Sequence, residues 1–466
     1  MRLPFAAQSY THRSLPISAQ RMLNCYAEPQ PPDASARLTI MPSPGLRPLA
    51  EVDSLAWRGG HVMGTDLFAV VGAAVYRLTT AGIWFNLGAI PAGGPVSLDS
   101  NGEKLVVVVP DTTEAFIVDR STGAITQITD AYFLGAVSVT VIDGYFIFVK
   151  PNSGEFYLSA LNDPSTGNPL DFAAAEGAPD NLRVGARVGR DLWLFGERTI
   201  EVWSNSGATD FPFLRVSGGF ISRGTAAAAS VAQRLGGAVW LGDDRCVYTA
   251  QGVTPQRIST YAMEQAIAGY ARVDDAEAWI YELEGHAFYV LTFPDAGDTW
   301  VCDLTAQAIW HERESEGLGI WRARLGVAFA GGVVAGDAVD GRVWLLDPTF
   351  GFEGEAQIIR VATGTAFHSE GRKVFFSRLA AEFETGVGLV TGQGNEPVAW
   401  LRWSNDAGRT WSEDSFVSLG PIGAYRTRAE WRRLGSARQR VFRLQWSDPV
   451  YTTIVAIDVD AEPGDG

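Results

Sequence analysis

The sequence predicts an all-β chain built mainly as a β-propeller, and three features predict it. Between residues 64 and 350, short apolar runs alternate with polar residues and close on Gly or Asp, which is the grammar of hairpins rather than helices. These hairpin units return at spacings of roughly 40 to 60 residues, as blades do when each buries a face only against its neighbours. The composition agrees, since 51 Gly, 15 Trp and 11% aromatic residues in 466 positions suit short strands, tight turns and a large core. Insertions such as LNDPSTGNPLDFAAAEGAPDN at 161 to 181 blur the period and leave the blade count open.

Taken in order, residues 1 to 50 carry Pro4, Pro16, Pro29, Pro31, Pro32, Pro42, Pro44 and Pro48. Proline fixes φ and removes a ladder donor, so this stretch is expected to be an extended arm lying on another surface and making inter-subunit or adaptor contacts. Residues 51 to 350 form the expected propeller, with strands in DLFAVVGAAVYRLT (66–79), EKLVVVVP (103–110), VTVIDGYFIFVKP (139–151), RDLWLFGERTIEVWSNSG (190–207), AWIYELEGHAFYVLTFP (278–294) and GRVWLLDP (341–348). RGTAAAASVAQRL (223–235) and YAMEQAIAGYARV (261–273), the latter with Met263, Ile267 and Tyr270 at helical spacing, read as short helices capping blades. From 351 to 466 strands resume in QIIRVATGTAF, KVFFSRLAAEFETG, PVAWLRWS, RVFRLQWS and TIVAIDVDA. They are either the last blades or an appended β domain.

The net charge of −16 argues against a nucleic-acid-binding surface over the whole molecule, because neutralising phosphates takes clustered Lys and Arg. Charge is uneven, however: residues 370 to 443 hold twelve basic against eight acidic side chains, a local +4. Arginine offers a planar fork that suits carboxylates and aromatic faces, so this region is a candidate contact for an acidic protein neighbour. Arginines laid over a solvated sheet face and paired with local Glu would read the same way. Cys25, Cys246 and Cys302 lie far apart with no C-x-x-C, so neither a zinc site nor a disulfide framework is indicated, and folding in a reducing cytoplasm is expected. No apolar run resembles a signal peptide or approaches the roughly 18 residues of a membrane helix, so no membrane insertion is expected.

Within WLRWSNDAGRTW, Ser404, Asp406, Gly408 and Trp411 make the pattern S-x-D-x-G-x-T-W, the Asp box of sialidase-type propellers. An Asp or Asn side chain can bond backbone N–H groups two residues on, Gly supplies positive φ, and an aromatic after the turn packs under the hairpin. The motif therefore builds a rigid turn and carries no nucleophile or general acid. It keeps open the alternative of a sialidase-like glycosidase or a non-catalytic glycan-binding propeller, with Trp203, Trp300 and Trp321 as sugar-stacking candidates, although sialidases repeat the box and only one complete copy occurs. The five histidines are isolated, and no G-x-S-x-G elbow or phosphate-binding loop appears. Asp143, Asp191, Glu197, Glu201, Asp243 and Asp244 lie near strands and could be proposed as paired carboxylates, but turn chemistry explains them as well. No catalytic, cofactor-binding or metal site is expected.

The segment SLGPIGAYRTRAEWRRLGSARQRVFRLQWSDP closely resembles the C-terminal signature of the tail hub proteins of short-tailed phages, also called packaged-DNA stabilisation, tail nozzle or tail accessory proteins. Residues 188 to 270 share the same cadence, and SAQRMLNCYAEPQ with MPSPGLRPL is similar to the family's opening, in which Asn24 and Tyr26 stand as "Asn, one residue, Tyr". Segments 91 to 135 and 316 to 360 carry no such match, and Cys25 departs from the opening pattern. The resemblance implies a structural virion protein, not an enzyme. It implies six copies around a channel below the portal and its adaptor ring, retaining packaged DNA, passing it without sequence-specific binding at genome ejection, and offering surfaces to a needle, fibres or tailspikes. It places the protein in the virion tail, assembled in the host cytoplasm. Arg426, Arg428, Arg432, Arg433, Asn24 and Tyr26 are the expected protein-interface residues, and the acidic surface would discourage DNA adhesion.

Overall fold

The computed structural model describes residues 5–464 except positions 32, 35, 176, 235 and 370, so Pro4 and Pro32 lie outside the described residues. Its larger unit is a ring of seven antiparallel, four-stranded blades. The first comprises Trp57–Met63, Asp66–Val71, Ala74–Leu78 and Trp84–Ala89, and four more follow in the same order, ending at Gln256–Arg257. The sixth comprises Glu277–Leu283, His286–Phe293, Asp298–Asp303 and Ile309–Glu312. The seventh has three strands of its own, Ala323–Phe329, Gly332–Asp337 and Arg342–Asp347. Its fourth is Gly45–Glu51, brought from the other end of the chain and paired antiparallel through Leu345↔Arg47, Leu346↔Leu46 and Asp347↔Gly45. First strands of successive blades pack side by side, and Ala323–Phe329 packs on Trp57–Met63, which closes the circle.

The pattern of the sequence follows from this geometry. A second strand is covered on both faces by neighbouring blades, so Leu105, Val106, Val107, Val108 and Val109 are all fully buried and the strand reads as one apolar run. The turns use the residues that their backbone requires. Asp143 and Gly144, at φ +50° and +85°, form the two-residue loop that joins Ser138–Ile142 to Tyr145–Val149. At Gly45 a Cβ would lie 1.9 Å from the Phe350 carbonyl oxygen and 2.6 Å from that of Phe352. Gly45→Ala is therefore expected to destabilise the protein by about 2 kcal/mol, read from equilibrium urea unfolding; an unchanged midpoint would show that the crossing has room to relax.

Phe352–Glu353 and Ala356–Gln357 extend the sheet of the seventh blade through Glu353↔Leu46, and residues from 360 onward form an appended β-sandwich, not further blades. One sheet continues from the sixth blade: Glu312 pairs with Leu23 of Ala19–Leu23, which is followed in turn by Arg360–Thr363, Gln439–Trp446, Val398–Ser404 and Ser415–Ser418. The facing sheet orders Cys25–Pro29, Leu38–Pro42, Ile454–Pro463, Val374–Phe383 and Ala429–Arg432. Met22, Phe376, Leu379, Leu401, Trp431, Phe442, Leu444 and Trp446 fill the space between them. The Pro-rich N-terminal stretch is thus extended, and it is bound in as strands of both units. Its prolines fall where a missing donor costs little: Pro29 and Pro42 end their strands, and Pro48 lies where the ladder shifts register opposite Val343 and Trp344.

The segment expected to be helical at 261–273 contains the α-helix Tyr261–Gly269, capped by Thr260, with Met263 and Ile267 fully buried and Tyr270 just past its end. The one expected at 223–235 is a correction. It holds only a short 3-10 turn, Ala228–Ser230, and then the strand Ala232–Arg234, the innermost of the fifth blade. Alanine propensity is a weak bias, and here the closing of the ring overrides it. Ser230 fixes the turn by donating its hydroxyl to the Ala227 carbonyl at 2.7 Å and accepting the Leu241 N–H at 3.2 Å.

Candidate interface and axial channel

The Asp box closes the hairpin between Val398–Ser404 and Ser415–Ser418, so it sits on the sandwich and not on a blade. The Ser404 hydroxyl donates to the Asp406 carboxylate at 2.7 Å and accepts the Gly408 N–H at 2.7 Å. Asp406 also accepts the N–H groups of Arg409 and Thr410, at 3.0 and 2.9 Å, and the Thr410 hydroxyl at 2.6 Å. These donors, the Thr410 hydroxyl foremost, hold its carboxyl well below the usual range although it is exposed. Gly408, at φ +95°, turns the loop against the first residue of Ala19–Leu23: a Cβ there would lie 3.2 Å from that of Ala19. The guanidinium of Arg443 lies 3.8 Å from the centre of the Trp411 ring. Every member of the box is engaged in holding this corner together.

The four arginines expected at an interface are exposed. Arg432 pairs with Glu430 at 2.8 Å, while Arg426, Arg428 and Arg433 have no carboxylate partner among the described residues. Beside Arg426 and Arg428, the loops at 384–396 and 419–428 meet, with the Gly423 N–H donating to the Gly386 carbonyl at 3.0 Å. Their tips expose Val390 (80%), Tyr425 (74%) and Ile422 (56%). Unpaired arginine next to exposed aromatic and aliphatic side chains is the composition of a protein-contact surface, and the apolar part of it was not singled out from sequence.

Asn24 and Tyr26 belong to an interface inside the chain rather than to a surface, which corrects the expectation. Asn24, at φ +56° and buried, donates its side-chain amide to the carbonyls of Glu314 and Ile359, both at 2.9 Å, and accepts the Glu314 N–H at 3.1 Å. It thereby pins the exit of the sixth blade to the start of the sandwich. Tyr26 is buried with its ring edge against His286 and Phe288, at 5.3 and 5.2 Å between centroids. Asn24→Ala leaves a buried N–H and two carbonyls without partners and is expected to cost about 3 kcal/mol, measured as a lowered midpoint in urea.

The first strands of the blades line an axial cavity of about 390 Å³, with His61, Asp99, Thr140 and Arg187 among its polar residues. His61 shares a hydrogen bond of 2.8 Å with the Ser100 hydroxyl, and Asp99 accepts the N–H of Val141 at 2.7 Å. Burial lowers the imidazole of His61 and raises the carboxyl of Asp99.

Of the carboxylates that could have served a hydrolase, Asp143, Glu197, Glu201, Asp243 and Asp244 have structural partners. Asp143 forms the two-residue turn and accepts the Asn205 amide at 2.9 Å; Glu201 is buried and accepts the Trp203 indole N–H at 3.0 Å. Glu197 lies 3.6 Å from Arg183, and Asp243 and Asp244 lie 3.1 and 3.2 Å from Arg223. Trp203, Trp300 and Trp321 are buried, so none offers a face to a sugar. Among the described residues no group of three or more His, Cys, Asp or Glu side chains could hold a metal ion, and no helix is long and apolar enough to cross a membrane.

Residues 1–351 match the family model for the β-propeller of bacteriophage P22 Gp10, and residues 360–462 match that for its β-sandwich. The chain belongs to the P22 Gp10 family. It is a family of short-tailed phage tail proteins, and P22 Gp10 itself is a tail-associated DNA-stabilisation protein. The two matched segments correspond to the two units of the fold, except that the sandwich also takes the strands Ala19–Leu23, Cys25–Pro29 and Leu38–Pro42 from the segment matched as propeller. No curated protein matches the sequence. Among solved structures, BamB from Moraxella catarrhalis aligns at 10% identity with a TM-score of 0.41, over 71% of this chain and 98% of its own. A catalytically inactive virginiamycin B lyase from Staphylococcus aureus aligns at 14% identity with a TM-score of 0.41, over 64% of this chain and 98% of its own.

Proposed function

We propose that this P22 Gp10 family member is a non-enzymatic subunit of a tail hub or nozzle. Six copies would form a ring below the portal and its adaptor, retain packaged DNA, guide it out at ejection and carry the needle, fibres or tailspikes. The virion tail is then its location and the host cytoplasm its place of assembly. The observation that carries the reading is the surface of Arg426 and Arg428 beside Tyr425, Ile422 and Val390, a basic and apolar contact on a chain of net charge −16. In a closed ring each copy presents two different faces to its neighbours, so a local basic patch meeting an acidic flank is self-complementary by rotation.

The proposed mechanism is steric and electrostatic. A lumen made by several acidic subunits repels the phosphate backbone and lets DNA slide, while the arginine-bearing loops hold the subunits or the adaptor. The shared sheet that runs from the sixth blade into the sandwich makes one stiff body of the two units, as a load-bearing ring requires. Charge reversal of the loop arginines tests the reading directly: ring formation and adaptor docking, followed by sedimentation, should be lost together while the monomer stays folded. If both persist, the loops are not the contact.

A further inference from the structure

The joint between propeller and sandwich encloses two cations for one carboxylate. Arg313 follows the last strand of the sixth blade and Arg360 begins a strand of the sandwich, and both side chains are fully buried. Arg313 donates through Nη2 to the Pro44 carbonyl at 3.2 Å and to Glu353 at 3.3 Å, and its guanidinium lies 4.2 Å from the centre of the Trp321 ring. Its Nε and Nη1 have no acceptor among the described residues. Arg360 reaches the carbonyls of Ile358 and Asp448 only at 3.5 Å, and its Nε has no acceptor among the described residues either. The Ser43 hydroxyl, next to Pro44, is buried and likewise unpartnered.

No carboxylate hydrogen-bonds the second cation, and Glu353 acts on it only through space. Glu353 is occupied by Arg313, the Trp321 indole and the Ser315 hydroxyl. Glu312 bonds Arg21 at 2.7 Å, and Asp337 bonds Arg322 at 2.6 Å. Cys25 feels both guanidinium groups, yet burial pushes its thiol up to about 12, so it stays neutral. His311 is also buried beside Arg313, held down to about 3 by burial, with its Nδ1 unpartnered. Arg440 shows how this protein otherwise buries a cation. Its Nε donates to Asn405 at 2.9 Å, its Nη1 to the Leu434 carbonyl at 2.5 Å, and its guanidinium lies 4.5 Å from the Phe376 ring centre.

We propose that this joint binds one monovalent anion of halide size, held by Arg313 Nε and Nη1 and by Arg360 Nε. A buried guanidinium without a hydrogen-bonded counter-charge is strongly unfavourable, and the unpartnered N–H donors of two guanidinium groups that feel each other's charge suit a spherical anion. The anion is small because the packing around the joint is tight: even a Cβ at Gly351 would fall 2.4 Å from Pro449, and one at Gly45 1.9 Å from the Phe350 carbonyl oxygen. Arg313 comes from the propeller and Arg360 from the sandwich, so the bound anion bridges the two units and firms their junction.

The test uses the full chain. Crystals grown in sodium bromide should give an anomalous bromine peak between the two guanidinium groups. In solution, the unfolding midpoint should rise by about 2 °C from roughly 1 to 100 mM chloride or bromide, and not with isethionate at equal ionic strength. Arg360→Met should abolish this halide dependence. A water without anomalous signal at the joint overturns the proposal, as does an equal response to halide and isethionate. A bromine peak with no effect on unfolding means an adventitious ion only, and overturns it too. If Arg360→Met does not fold, the two wild-type measurements decide by themselves.

Discussion

A chain beginning at residue 52 is expected not to fold. Removing the preceding residues takes Gly45–Glu51 from the seventh blade, Tyr10–Thr11 and Ala19–Leu23 from the sheet shared with the sixth blade, and two strands from the facing sheet of the sandwich. It also removes Met22, Cys25, Ala27, Tyr26 and Leu46 from two clusters of the core, together with the Asn24 pin. At about 2 kcal/mol for each large buried apolar side chain, the loss approaches the whole stability of an ordinary domain, about 5–15 kcal/mol. The seventh blade would also expose the Arg342–Asp347 ladder along its length, an edge prone to aggregation. Near-ultraviolet circular dichroism of the tryptophan-rich core should show no fixed packing. A cooperative transition at the full-length midpoint would contradict the woven arrangement.

The second large effect is on assembly rather than folding. Replacing Arg426, Arg428 and Arg433 by Glu removes three exposed charges that have no carboxylate partner among the described residues, so monomer stability should move by no more than about 0.5 kcal/mol. In an interface the same changes remove arginine contacts and place like charges against an acidic neighbour. Together they are expected to cost about 4 kcal/mol of association, roughly a thousandfold in affinity. Sedimentation velocity separates the outcomes: folded monomers support the arginine interface, and unchanged oligomers remove it.

The blades were legible because each carries its own hairpin signals, and strands such as KLVVVV announce burial on both faces. The blade count was not, since the seventh blade takes Gly45–Glu51 from 300 residues away in sequence, a pairing that no local pattern encodes. The Ala-rich run at 223–235 misled for the opposite reason: its local propensity was clear, and the ring overrode it. Arg440 and Arg438 look alike as letters. The alternation Arg440, Phe442, Leu444, Trp446 along Gln439–Trp446 puts the first on the core face, whereas Arg438 precedes the strand and is exposed. The same reading would have found Asn24 as a buried residue, because its neighbours Leu23, Cys25 and Tyr26 are apolar and an Asn among them marks a turn at positive φ.

The Asp box was recognised as a turn built on an Asp carboxylate, but Asp406 takes the N–H groups three and four residues on rather than two, and its position on the sandwich was not deducible from the motif alone. Function divides in the same way. Membership of a phage tail family is carried by the match over both units, while the geometry adds which arginines and apolar side chains are exposed together.

Single-particle imaging of the purified protein, alone and mixed with portal and adaptor rings, tests the central claim most directly. The account predicts a six-fold ring with an open centre that docks on the adaptor. Isolated single subunits in both samples would contradict it.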